Sequence, residues 1–142
     1  MVSILGGEEV TPQLLFQLQS RVAVQWGEVD PFSGKHAQIV VPTPLVAVDD
    51  QQFVGGLAFT SANKPDSREI GVWINVLLVE DNYQHQGIGS QLVQAAQTQA
   101  VELGLSELYV FTEIPSLYEK QGWELIHLPT QCTAENVLCK RF

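Results

Sequence analysis

Residues 79–93 read VEDNYQHQGIGSQLV. Two glycines, Gly87 and Gly89, stand where an apolar run gives way to helical spacing, and no acid occurs between Asp81 and Glu102. That gap is unusual in a chain with sixteen acids, seven bases and a formal net charge of −9. A helix start exposes unpaired N–H groups and carries roughly +0.5 charge, so acids placed there stabilise by ~0.3–1 kcal/mol. A helix start that omits acids and adds glycines suggests a seat for an external anion. Glycine lets the backbone bend and approach closely, so successive N–H groups can converge on phosphate oxygens. A plain glycine-bearing turn, with glutamines serving helix propensity and solubility, satisfies the composition equally well.

The rest of the chain limits what that seat can serve. Its 142 residues suit one domain, 1–142, and 45% hydrophobic with 16% charged residues reads as an ordinary globular protein. The longest apolar run, GVWINVLLV, is far short of a membrane span, and the start MVSILGGEEV lacks a basic leader. A cytoplasmic protein without membrane contact is expected. Cys132 and Cys139 have no metal or redox spacing and read as reduced thiols, a disulfide being the alternative. The acidic balance removes nucleic acid as a partner, because no basic stripe exists to neutralise phosphates.

Thr11-Pro12 is a helix start, and Leu14, Leu15, Leu18, Val22 and Trp26 recur at helical spacing over 12–26. Residues 27–43 read as a loop or short helix. PLVAVDDQQFVGGLAFTS predicts strand, turn near Asp49–Gln52, and strand; EIGVWINVLLV predicts a central strand buried on both faces. Leu92, Ala96, Ala100 and Leu103 mark one face of a helix that Gly104 ends. ELYVF, WELIHL and ENVLCKRF are further strands, and PSLYEKQG a short helix. Single strands alternating with helices after a meander predict a mixed α/β sheet.

Two phosphate loops fail against these residues. The third glycine of G-x-G-x-x-G would fall at Leu92, and no Gly-Lys-Ser or Gly-Lys-Thr occurs for a P-loop. What the segment resembles is the acetyl-CoA signature of the GCN5-related N-acetyltransferase (GNAT) superfamily: Arg or Gln, two residues, Gly, one residue, Gly or Ala. Gln84-His85-Gln86-Gly87-Ile88-Gly89 fits it, after an apolar strand and opening a helix. LYVFTEIPSLYEKQGWELI is similar to the family's next strand, short helix, tyrosine and Gly-aromatic pair.

The resemblance implies a mostly antiparallel sheet of six or seven strands flanked by helices, with splayed central strands. Its order is β-α-(α)-β-β-β-α-β-α-β-β. It implies that backbone N–H groups of Gln84, His85, Gln86, Gly87, Ile88, Gly89 and Ser90 hold the pyrophosphate of acetyl-CoA. The commoner family residue at the first position is Arg; Gln84 brings no charge, so backbone donors and the helix dipole carry most of the anion binding. Val79 would contact pantetheine, and the Leu77 N–H would polarise the acetyl carbonyl. Tyr118 matches the tyrosine that protonates the departing thiolate, with packing on a short helix as the alternative.

Some relatives keep a Glu before the turn as general base, but Trp73-Ile74-Asn75 stands there without a titratable group. Glu113, just past ELYVF, is the preferred base; Glu28, Asp30 and Glu69 are alternatives, as is a water chain. His36, His85 and His127 read as loop or strand residues without a role. Trp26, Asp30, Phe32 and Trp73 are candidates for an acceptor pocket, core packing being the competing reading. The expected function is acetyl transfer from acetyl-CoA to a primary amine, a small molecule before a peptide or protein amine, by direct attack in a ternary complex without a metal. The alternative is a catalytically silent module of the same fold that binds acetyl-CoA or CoA and regulates a partner protein. A homodimer is compatible with either, and no hydrolase nucleophile elbow is present.

Overall fold

The computed structural model describes residues 2–26, 41–65, 67–126 and 136–142, and for Gln25 and Trp26 the backbone alone. The order is β1 (Val2–Gly6), α1 (Pro12–Trp26), β2 (Leu45–Asp49), β3 (Gln52–Asn63), β4 (Ile70–Val79), α2 (Ile88–Glu102), β5 (Glu107–Thr112), α3 (Pro115–Glu119), β6 (Glu124–Ile126) and β7 (Asn136–Arg141). The seven strands form one sheet in the order β1-β2-β3-β4-β5-β7-β6. Only β4 and β5 run parallel. This is the expected α/β architecture. The optional second helix, His127 and Leu128 of the strand predicted at 123–128, and Cys132 lie outside the described residues.

Thr11 caps α1: its Oγ1 accepts from the Leu14 N–H at 3.2 Å and its carbonyl from the Leu15 N–H at 3.0 Å. Pro12 then takes the first helical position, where a missing N–H costs nothing. Leu14, Leu18 and Val22 of α1 pack on one sheet face against Val46, Val48, Phe53, Ala58, Val76 and Leu78. The opposite face buries Leu57, Phe59, Val72 and Ile74 under Leu92, Val93, Ala96 and Ala100 of α2. Gly104, with φ +79°, closes α2: the Leu105 N–H reaches the Ala100 carbonyl at 2.9 Å and the Gly104 N–H that of Val101 at 3.0 Å. Leu103 follows the last helical residue and so leaves the buried stripe; it is 47% exposed, against the expectation that it shares the core face.

β4 also departs from its expected burial on both faces. Ala58 pairs with Val76 and Phe59 with Ile74, so Asn75 is an extra residue facing no partner on β3. Such a bulge shifts the side-chain alternation by one. Val72 and Ile74 face α2, whereas beyond the bulge Val76 and Leu78 face α1 and Leu77 and Val79 turn toward α2. β5 pairs with β4 only at Trp73↔Tyr109 and Ile74↔Val110. Past Asn75 the two parallel strands part, and Trp73, Leu77 and Val79 are only partly buried while Asn75 is exposed.

The β2–β3 hairpin turns on Asp50 and Gln51, with φ +50° and +73°. Positive φ at both central positions is the type I′ geometry that matches strand twist, and Gly is the residue preferred at the second. Gln51→Gly is therefore expected to stabilise the fold by about 0.5–1 kcal/mol, read as a higher urea midpoint at unchanged slope. A lower midpoint would show that the Gln51 side chain contributes more than its backbone conformation costs.

Candidate active site

The segment from β4 to α2 is held from below. The Tyr83 hydroxyl donates to Asp49 Oδ2 at 3.1 Å, and Arg21 of α1 pairs with Glu80. Gln84 Nε2 donates back to the Val79 carbonyl at 3.2 Å and to Asp81 Oδ1 at 3.4 Å. Its amide thus fastens the turn to the strand end. His85 and Gly87 both have positive φ, +64° and +83°, with a residue of ordinary handedness between them. Alternation of this kind makes successive N–H groups converge, and here it runs into the unpaired amides of the α2 start. Residues 84–87 are exposed while Ile88 is buried as the anchor.

Both glycines have a physical reason. A Cβ on Gly87 would meet no protein atom within 4 Å, so its positive φ, not crowding within the chain, calls for glycine. The space above it is open for a ligand. A Cβ on Gly89 would sit 3.7 Å from Leu117 Cδ2, an ordinary contact, which agrees with a position where Gly or Ala serves.

Upstream, the Glu80 N–H donates to the Val54 carbonyl of β3 at 2.8 Å. Alternation along a strand then directs the Leu78 and Val76 amides toward β3 and those of Leu77 and Val79 the other way. That other side is the edge from which β5 has withdrawn. Two strand amides in sequence therefore point into the gap between β4 and β5.

The gap is a cleft of about 740 Å³, with Thr60, Trp73, Asn75, Leu77, Thr112, Glu113, Ile114 and Tyr118 among its lining residues. Tyr118 is 2% exposed and stands edge-on to Trp123, with ring centroids 5.2 Å apart. Its short helix is pinned at both ends. Thr112 Oγ1 accepts from the Ile114 N–H at 3.0 Å, and the Tyr118 carbonyl accepts from the Gln121 and Trp123 amides at 2.9 and 3.2 Å. Gln121 Nε2 donates to the Ser90 carbonyl at 2.8 Å and Gln97 Nε2 to Gln121 Oε1 at 2.6 Å, which ties α3 to the first turns of α2.

The Acetyltransferase (GNAT) family matches residues 14–123 of the chain. The chain belongs to the GNAT acetyltransferase family. Arabidopsis thaliana Naa50 in complex with a bisubstrate analogue superposes with TM-score 0.68 at 21% identity, over 99% of each chain. An aminoglycoside 6′-N-acetyltransferase complexed with coenzyme A gives TM-score 0.70 at 18% identity, over 98% of this chain and 96% of that one. Arabidopsis thaliana NAA60 in complex with acetyl-CoA gives 0.70 at 12% identity over the whole of both chains. At these identities the likeness is one of fold. No curated protein sequence matches the chain.

In this GNAT chain Leu77, Glu113 and Tyr118 line a single cleft. Val79 lies two residues along β4 toward the turn of residues 84–90. Glu69, an alternative base, sits instead on the β3–β4 connection, with Lys64 Nζ 3.4 Å from its carboxylate, and does not line the cleft. Trp73 packs on Tyr109, with ring centroids 5.2 Å apart, and also lines the cleft. His85 is an exposed turn residue whose distinction is its backbone. Glu28, Asp30, Phe32, His36 and His127 fall outside the described residues. Sequence reasoning missed Thr60, Thr112 and Ile114 as cleft residues, and it missed the bulge. One signal was visible: Asn75 is the lone polar residue within GVWINVLLV. Among the described residues no cluster of metal-ligating side chains forms, and no helix is long and apolar enough to cross a membrane.

Burial pushes the Tyr118 phenol well above its ordinary range. Tyr109 is raised likewise, by burial first and then by its hydrogen bond with Glu107. Folded-state values above the unfolded value of about 10 mean that the unfolded chain loses these protons first. The stability they contribute is full below about pH 10 and is lost as the pH rises through the folded values. Urea unfolding should show this alkaline loss, reduced in Tyr118→Phe, where Tyr109 remains together with Tyr83, which its hydrogen bond to Asp49 also raises. An equal loss in both proteins would remove Tyr118 as a contributor.

Proposed function

We propose that this GNAT protein transfers the acetyl group of acetyl-CoA to a primary amine by direct attack in a ternary complex. The observation that carries the reading is the continuity of β4 with the glycine turn. One segment, 73–90, presents two amides to an open cleft and then a run of convergent amides at a helix start. Coenzyme A is a long molecule with a pyrophosphate partway along and a thioester at its end, and such a segment suits both parts.

The residues proposed to hold the cofactor are Leu77 and Val79 through their amides and Gln84, His85, Gln86, Gly87, Ile88, Gly89 and Ser90 through the turn. When bound, acetyl-CoA supplies an activated acyl carbonyl that an amine attacks directly. The chain's own groups divide the remaining work. The Leu77 N–H, fixed in the strand, offers a donor to the carbonyl oxygen as negative charge gathers there, a contribution worth ~2.7–4 kcal/mol in comparable sites. The Tyr118 hydroxyl keeps its proton across the physiological range and gives it to the leaving sulfur. Glu113 draws the ammonium into the cleft and takes the proton that the amine must lose. No covalent enzyme intermediate is involved; Cys139 is buried, with burial raising its thiol pKa.

Gly87→Glu tests the pyrophosphate seat. With no protein atom near that Cβ the variant is expected to fold, and its carboxylate should weaken acetyl-CoA binding by at least about 100-fold through steric block and like charge. Gly87→Asn, which tolerates positive φ, separates strain from charge and should bind far better than the Glu variant. Unchanged affinity in a folded Gly87→Glu protein would refute the seat. Tyr118→Phe should bind acetyl-CoA normally and lower kcat by about 10²–10⁴-fold, followed by release of free thiol over an amine panel. Tight binding with no turnover of any amine by the wild type would favour the regulatory module.

A further inference from the structure

The acceptor side of the cleft has a chemistry of its own. Phe111 and Ile114 stand at its mouth with 47% and 56% of their surface exposed, and Trp73 adds an aromatic wall. Isolated exposed apolar residues are common, but these belong to one concave lining. Among the described residues Glu113 is the only acid in that lining, and no described Lys, Arg or His contributes to it. The described basic residues lie elsewhere, Arg68 among them on the β3–β4 connection. Lys64 lies 2.8 Å from Glu107, Arg141 lies 3.8 Å from Glu107 and 3.9 Å from Glu124, and Arg21 pairs with Glu80. Lys140 donates to the Gln121 carbonyl at 2.9 Å, while Lys120 faces a separate hollow between α2 and α3.

A carboxylate on the acceptor would therefore meet Glu113 and find no counter-charge among the described residues. An ammonium would meet Glu113 with its apolar body against Trp73, Phe111 and Ile114. We infer that the acceptor is a small apolar primary amine, an aryl- or alkylamine without a carboxylate; the assignment rests on the acetyl-transfer reading above. It is carried by the coincidence, among the described residues, of one acid, no base and an exposed apolar mouth in a single cleft. A volume of about 740 Å³ is of the size that encloses small molecules.

Two measurements test it. Calorimetry on the ligand-free protein compares phenethylamine with phenylalanine and phenylalaninamide, and acetyl transfer is then measured on the same three plus ethanolamine and a pentapeptide with a free N-terminus. Phenethylamine should bind at least about 10-fold more tightly than phenylalanine and exceed it in kcat/KM by about 100-fold, with the amide between them. Glu113→Gln should shrink the phenethylamine-to-phenylalanine ratio by about 10-fold, whatever happens to the absolute rate. Ile114→Ser, at an exposed position that the fold does not need, should cut the preference for phenethylamine over ethanolamine by about 5-fold. Equal binding of amine and amino acid, or a kcat/KM higher for phenylalanine or the peptide, overturns the assignment and leaves acetyl transfer standing. Failure to bind acetyl-CoA overturns the acetyl-transfer reading instead, and the calorimetric ratio still decides which amine the cleft takes.

Discussion

The extra residue at Asn75 is the constraint on which the site depends. A sheet of seven paired strands has no interior space, because each strand's amides and carbonyls are taken by its neighbours. Two parallel strands can separate only where one of them bends, and a bulge bends a strand at the cost of one unpaired residue. Here the bend follows two β4–β5 pairs, Trp73↔Tyr109 and Ile74↔Val110, and turns the rest of β4 away. The cleft, the outward amides of Leu77 and Val79 and the exposure of Trp73 follow from that one insertion. The same slip moves the even-numbered side chains of β4 from one core to the other, with Ile74 under α2 and Val76 against α1.

Holding an anion without a cation, as proposed for the turn of residues 84–90, is the second physical theme. Gln84 stands where arginine is commoner, and its side chain is spent on the Val79 carbonyl and Asp81. That makes it a brace, not a counter-ion. Binding charge with amides has a compensating merit in a chain of net charge −9. Donors built into a turn and a helix start need no ordering when a ligand arrives, whereas a long basic side chain loses rotamer freedom on binding. The absence of acids from the turn and the first turn of α2 suits such a seat, since a carboxylate there would compete for the same donors.

Much of this was legible in the sequence because it is local. Thr11-Pro12, the Gly87 and Gly89 turn and the Gly104 stop each encode their geometry within a few residues, and the structure has them as read. Burial on β4 was not legible. GVWINVLLV is apolar almost throughout, which favours burial on both faces, and only Asn75 marks the interruption. A bulge is a relation between two strands, set by how Ala58 and Phe59 pair, and no window on one strand contains it. The cleft lining was illegible for the same reason: Thr60, Asn75 and Ile114 are distant in sequence and meet only because β5 parts from β4. Leu103 failed on another ground, since the helical period that would bury it stops one residue earlier.

The cleft also separates what is fixed from what is free to vary. The turn, the helix start and the two outward amides belong to one covalent segment, so strand and helix geometry sets most of their spacing, with the bulge against β3 and the Tyr83–Asp49 and Arg21–Glu80 contacts fixing the rest. The wall proposed to meet the acceptor is assembled otherwise, from Thr60 on β3, Phe111 on β5 and the Glu113–Ile114 corner before α3. Their side chains can change without touching a residue of 76–90, and Phe111, Glu113 and Ile114 are exposed, so the core does not constrain them. On the proposed reading, selectivity for one amine over another can thus be rewritten at the mouth while the proposed anion seat and oxyanion donor stay in register. The asymmetry accounts for what sequence reading found here: what the covalent segment carries is written largely in one stretch, while the residues proposed to meet the acceptor fall in two, Thr60 and 111–114, that only the fold brings together.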